Sequence, residues 1–189
     1  MDVSCTITRN EFYRMMKSFV DPKEVREGTS ISTDDDTTAL FTHYIKWCVG
    51  IAISATKGKT VCRHLQHVLY VNWSGHEGEL KKQLEELKAF VKSLGNLEDY
   101  DDLNVVLASS ESFTGGGKLS ESEKLVFETI KETFAAKKQN NPEFSIPLHR
   151  SLNMIVKPDG GIVVDNIEYL KECVPPRHKS YYNPVSVLK

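Results

Sequence analysis

Residues 47–71 read WCVGIAISATKGKTVCRHLQHVLYV, two apolar runs flanking the polar stretch at residues 54–61. How these runs are read decides the fold. From Leu40 onward, Phe41, Tyr44, Ile45, Trp47, Cys48, Val49, Ile51, Ala52 and Ile53 leave a thin polar stripe at Thr42, Lys46, Gly50 and Ser54. That is the pattern of a nearly buried helix beginning near Thr37. Val61, Leu65, Val68, Leu69 and Trp73 then share one helical face, which makes residues 60–73 a second helix. On this reading Gly58 is the left-handed exit of the first helix and Thr60 the cap of the next.

The same stretch holds Gly58-Lys59-Thr60, the tail end of a phosphate-binding loop. Such a loop needs a glycine five residues before the Gly-Lys pair, so that it turns tightly and its N–H groups enclose the phosphates. Ile53 stands there, and no series of βαβ units follows. The Gly-Lys-Thr triplet is therefore read as a turn, with Lys59 solvated.

Outward from this centre, Thr8 and Glu11 have capping-box spacing before FYRMMKSFV, which predicts a helix over residues 10–20 that Pro22 stops. Residues 22–36 are polar and connect. Leucines 80, 84 and 87 with Gly95 mark another helix, and Ser120 with Glu123 caps one that carries Leu125, Val126, Ile130 and Phe134. Residues 101–109 contain four apolar residues in a row, which fix no period, and are assigned to a short helix. NMIVKPDGGIVVD, residues 153–165, is two β-prone runs joined by Lys-Pro-Asp-Gly, a hairpin signal. Asn166 caps a short helix ended by Pro175-Pro176. The expected architecture is mainly α: a single-domain helical bundle over residues 1–173 that includes the hairpin, followed by an extended tail at 174–189.

With 24 basic and 26 acidic residues the formal charge is -2, so no global positive field draws in a nucleic-acid backbone. Local basic groups remain: Lys57, Lys59 and Arg63 in the central stretch, and Arg177 and Lys179 beside two tyrosines, a texture suited to polyanion contact and to RNA. Four widely spaced cysteines without a CxxC pair read as free thiols in a reducing compartment, hence a cytoplasmic protein. Residues 1–12 lack the features of a secretory signal. The most apolar segment, residues 39–55, falls short of the ~20 residues that a membrane-spanning helix needs.

His64 and His67 at i, i+3 share a helical face, with His43, His76, Glu77 and Cys62 nearby in sequence. A metal-binding enzyme or ligand-binding bundle built on the His64/His67 region is the alternative function. HExxH and paired Glu-x-x-His signatures are absent, so no metal or other cofactor is expected and the two histidines are assigned to a polar helix face. No Gly-x-Ser-x-Gly elbow and no family-type cysteine box supports nucleophilic catalysis. The expected function is non-enzymatic: an interaction or assembly subunit, coat- or nucleocapsid-like, that forms a homo-oligomer by docking its tail on a neighbour. Tyr181, Tyr182, Val185, Val187 and Leu188 are the expected anchors, because aromatic and apolar side chains concentrate interface energy.

Overall fold

The computed structural model describes residues 4–45, 48–69, 77–109, 121–165 and 185–186. In chain order it runs β1 (Ser4–Ile7), α1 (Arg9–Ser18), β2 (Lys23–Glu24), β3 (Ser30–Thr33), β4 (Leu40–Thr42), β5 (Cys48–Lys57) and β6 (Thr60–Leu69). It continues with α2 (Glu77–Leu94), a 3₁₀ turn (Leu97–Asp99), β7 (Asp102–Ser109), α3 (Glu121–Thr133) and α4 (Ala135–Asn140). The last described elements are β8 (Pro147–Arg150), β9 (Met154–Val156), β10 (Ile162–Asp165) and β11 (Val185–Ser186). The strands form two mixed sheets, one ordered β1-β10-β9-β4-β2 and the other β11-β8-β7-β5-β6-β3.

The chain is therefore an α/β protein, and the expected helical bundle is overturned. Three cores define four layers. Phe12 of α1 packs with Phe41, Ile155 and Val163 on the outside of the five-stranded sheet. Leu40, Met154, Val156, Ile162 and Val164 on its other face meet Ala52, Leu65, Val106 and Ala108 of the six-stranded sheet. The far face of that sheet, with Val49, Ile51, Ile53, Val105 and Leu107, is covered by Leu84 and Leu87 of α2 and Val126 and Ile130 of α3.

The two central helices of the bundle reading are β5 and β6, joined by a two-residue turn. Val49, Ile51, Ile53 and Ala55 face the helices while Cys48 and Ala52 face the second sheet. A strand buried on both faces reads as one continuous apolar run, which a helical period also fits. The β-branched residues Val49, Ile51 and Ile53 favour the strand. Gly58 has φ +60 and Tyr44 is the one non-glycine with positive φ among the described residues, so Lys59 has negative φ. Glycine at the first of two loop positions is the pattern of a II′ hairpin turn, whose twist matches its strands. Residues 102–109 are likewise a strand, with Val105 and Leu107 on one face and Val106 and Ala108 on the other.

Helices stand where capping and period agreed. At α1 the Thr8 hydroxyl accepts from Glu11 N at 3.2 Å and the Glu11 carboxylate accepts from Thr8 N at 2.8 Å. α2 and α3 occupy the other two expected helical segments, and residues 153–165 form an antiparallel hairpin with Ile162 opposite Val156. The expected helix after Asn166 lies outside the described residues. No described helix is long and apolar enough to cross a membrane.

Candidate functional site

In a hairpin, loop length sets the register. With Lys57 opposite Thr60, Gly50 pairs with His67 and Cys48 with Leu69. Cys48 and His67 are then diagonal neighbours on one face, about 7–8 Å apart between Cα atoms. That face is turned toward the five-stranded sheet, and Gly50, opposite His67, leaves room that the side chains of Ile45 and Met154 fill, 2.7 and 2.8 Å from where a Cβ would stand.

His67 is 3 % exposed. Its Nδ1 lies 2.8 Å from the Thr42 hydroxyl, supplied by β4 across the inter-sheet layer. Its Nε2 is buried with no hydrogen-bond partner. Burial, assisted by nearby His43, holds the imidazole down at about 4, so it is neutral at pH 7 and a weaker base than an exposed histidine. When Nδ1–H donates to Thr42 Oγ1, the Nε2 lone pair is free to accept a proton.

Cys48 is 1 % exposed, and its thiol donates to Glu27 Oε1 at 3.6 Å. Burial first, and the Glu27 carboxylate second, push it up to about 12. It rests as a thiol and needs a base before it can attack. Glu27 itself is exposed.

The chain at Tyr44 and Ile45 is strained and tightly held. Tyr44 adopts φ +57, a conformation that a bulky residue keeps only when its surroundings impose it. Its N–H reaches Asn153 Oδ1 at 3.4 Å, and Ile45 N donates to Leu152 O at 2.9 Å. Residues 151–153, where the chain crosses from one sheet to the other, are in turn fastened by buried Asp165. Its carboxylate accepts from Leu152 N at 3.0 Å, Asn153 N at 2.9 Å, the Ser151 hydroxyl and the Asn153 amide.

The residues singled out from sequence scatter. His64 and His67 lie on opposite faces of β6, because strand period replaces helical period, and they share no site. His43 is half-buried near His67 and meets Glu24 at 3.3 Å, Glu77 opens α2, and His76 lies outside the described residues. No group of three His, Cys, Asp or Glu among the described residues is arranged to hold a metal. Lys57 and Lys59 are exposed at the hairpin turn, with Lys57 3.4 Å from Asp99. Arg63 is fully buried between the sheets, where it donates to the carbonyls of Thr38 and Lys157, so it does not share their surface. Val185 pairs with Leu148 at the edge of β8, and Tyr181, Tyr182, Val187, Leu188, Arg177 and Lys179 lie outside the described residues.

Thr42, Cys48 and Glu27 escape a helical reading. Reading Gly58-Lys59 as a hairpin turn would have found the first link, since that register alone places Cys48 and His67 on one face. A 490 Å³ groove bordered by Lys92, Leu97, Glu98 and Lys137 lies on the helical side, on the other side of the six-stranded sheet, and holds neither cysteine nor histidine. No protein-family model matches the chain, and no curated protein matches it either.

Proposed function

We propose that the chain is a thiol-dependent acyl-transfer enzyme that hydrolyses an amide or ester. The observation that supports this most directly is the buried imidazole of His67, oriented through Nδ1 by Thr42, with Nε2 unpartnered on the face that carries Cys48. Nucleophile, base and orienting group are the three roles that covalent acyl transfer requires.

In the first half-reaction His67 Nε2 takes the Cys48 proton as Sγ bonds to the substrate carbonyl carbon. The tetrahedral adduct collapses, its bond to the leaving nitrogen or oxygen breaks, and His67 returns the proton to that group. In the second, water gives a proton to Nε2 and attacks the thioester, and the carboxylic acid leaves as the Cys48 thiol is restored. Thr42 holds the imidazole by Nδ1 throughout, and with its hydroxyl accepting from Nδ1–H the lone pair stands on Nε2.

The test uses p-nitrophenyl acetate as a generic acyl donor on the full chain, with an acid quench and peptide mapping. The expected result is an acetyl group on Cys48, turned over with release of nitrophenol and strongly slowed by His67→Gln. Absence of acylation at Cys48, or acylation indifferent to His67, overturns the assignment.

A second reading, a non-enzymatic assembly subunit of the coat or nucleocapsid kind, is favoured by one observation: Val185–Ser186 adds to the edge of β8 as an antiparallel strand. Edge strands are templates for pairing with another chain. In a homo-oligomer this strand would be exchanged between copies, with Tyr181, Tyr182, Val187 and Leu188 as neighbouring anchors and the exposed Lys57 and Lys59 open to a polyanion. Light scattering of the full chain and of a variant ending at residue 182 checks it. A full chain that stays monomeric across salt concentrations and does not shift single-stranded RNA ends that reading.

A further inference from the structure

We infer that Glu27 is a latch on Cys48, a side chain that caps the sulfur in the resting protein and must swing aside before the thiol can meet a substrate. The inference rests on the acyl-transfer reading for its purpose, though not for its geometry.

Three observations lead to it. The Glu27 carboxylate is the acceptor for the thiol of Cys48, at 3.6 Å, so the thiol proton is engaged by Glu27, while His67 Nε2 has no hydrogen-bond partner. Cys48 is buried while Glu27 is exposed, which makes the carboxylate part of the covering between sulfur and solvent. The backbone beneath Glu27 is fixed from both sides. Val25 is buried in the inter-sheet core and its N–H donates to Phe41 O at 2.7 Å. Gly28, at φ +75, donates to His67 O at 2.8 Å, and Thr29 O accepts from His67 N at 3.0 Å.

The loop that presents the latch is thus hydrogen-bonded to the backbone of the proposed base itself. Movement is left to the Glu27 side chain, and rotamer changes of an exposed side chain occur in picoseconds to nanoseconds. Closed, the latch shields the sulfur and keeps it protonated. Open, it exposes the sulfur and removes the negative charge that opposes thiolate formation. Glu27 is a positioning residue on this account: it acts through Cys48 and takes no part in bond making.

The experiment is alkylation of the full chain by iodoacetamide, followed at Cys48 by peptide mapping, with the half-buried Cys62 as internal reference. Glu27→Ala and Glu27→Gln are expected to raise the Cys48 rate severalfold, because both remove the charge that opposes the thiolate, with Cys62 unchanged within about twofold. Glu27→Asp, which keeps the charge, should return the rate toward that of the parent. A Cys48 rate within twofold of the parent in both Ala and Gln variants overturns the latch. So does an equal rise at Cys62, which would mean general loosening. Alkylation requires no turnover, so failure of the p-nitrophenyl acetate test with a positive result here would sink the acyl-transfer reading and leave the latch standing.

Discussion

β6 carries the same chemical unit twice, once on each face. His64 and His67 are both nearly inaccessible, both have Nδ1 2.8 Å from a hydroxyl, and both have a buried Nε2 without a partner. Burial holds each at about 4. The difference lies across the strands. His64 stands opposite Ile53, and its ring stacks on Phe90 of α2 with centroids 4.6 Å apart. His67 stands opposite Gly50, with a thiol on its diagonal and an exposed carboxylate on that thiol. An oriented neutral imidazole is therefore not a site in itself. The neighbour decides: an aromatic ring packs His64 into the core, and on the acyl-transfer reading the thiol gives His67 something to deprotonate.

The sharpest way to break this comparison is to remove the neighbour. Cys48→Ala should lower acyl transfer by about a thousandfold or more, as expected when a nucleophile is lost, while Cys62→Ala stays within twofold. Next come the histidines themselves. His67→Gln should slow acylation by about 100- to 10,000-fold, the range for a general base. His64→Gln should leave the rate within threefold and instead cost about 1–2 kcal/mol of stability, from the lost Ser32 hydrogen bond and the lost stacking on Phe90. Equal rate losses in the two histidine variants, measured side by side with urea unfolding, would erase the distinction between the faces.

The comparison also explains what was legible in the sequence. Helices α1, α2 and α3 could be read because each is amphipathic: one face meets a sheet and the other meets water, so the period shows. The β9–β10 hairpin could be read because Lys-Pro-Asp-Gly is specific turn chemistry. β5 has no polar face, since its odd residues meet helices and its even residues meet a sheet, so its alternation shows only in size. Val, Ile and Ile on one side are matched by Cys, Gly, Ala and Ser on the other. β6 hides differently, because Arg63, His64, Gln66 and His67 are polar yet buried. Buried polar residues imitate a solvated helix face until the partners that hold them are known: Thr38 O for Arg63, Ser32 for His64, Gln83 O of α2 for Gln66 and Thr42 for His67. The candidate site inherited both ambiguities, since it consists of one small residue from β5 and one buried polar residue from β6.

In acid the two histidines should behave alike, which tests burial apart from function. Each has a folded-state pKa of about 4, below the ordinary value of 6.5. Between those limits the unfolded chain takes up protons that the folded chain refuses. Their contribution is complete above pH 6.5 and is lost as pH falls toward 4, at up to about 1.4 kcal/mol per pH unit for each group. Burial lowers His149 in the same direction, so the parent slope includes it. Urea midpoints measured from pH 7 to pH 4 should flatten by similar steps in His64→Gln and His67→Gln. A slope that responds to only one of them would show that the other is solvated.

The smallest expected effect separates the two hydroxyls. Thr42→Val keeps the shape of the side chain and removes the group that orients His67, while Ser32→Ala does the same for His64. Each deletion removes one hydrogen bond and should cost about 0.5–1.5 kcal/mol of stability, so unfolding alone will not tell them apart. Their effect on chemistry should differ. Without Thr42 the imidazole loses the group that holds it by Nδ1, and acylation should fall about tenfold, the kinetic equivalent of about 1.4 kcal/mol. Without Ser32 the rate should not change, because His64 faces Phe90 and α2 across the sheet from the thiol. A Ser32→Ala variant as slow as Thr42→Val would mean that the six-stranded sheet transmits strain from one face to the other, and that the two histidines are coupled through the strand they share.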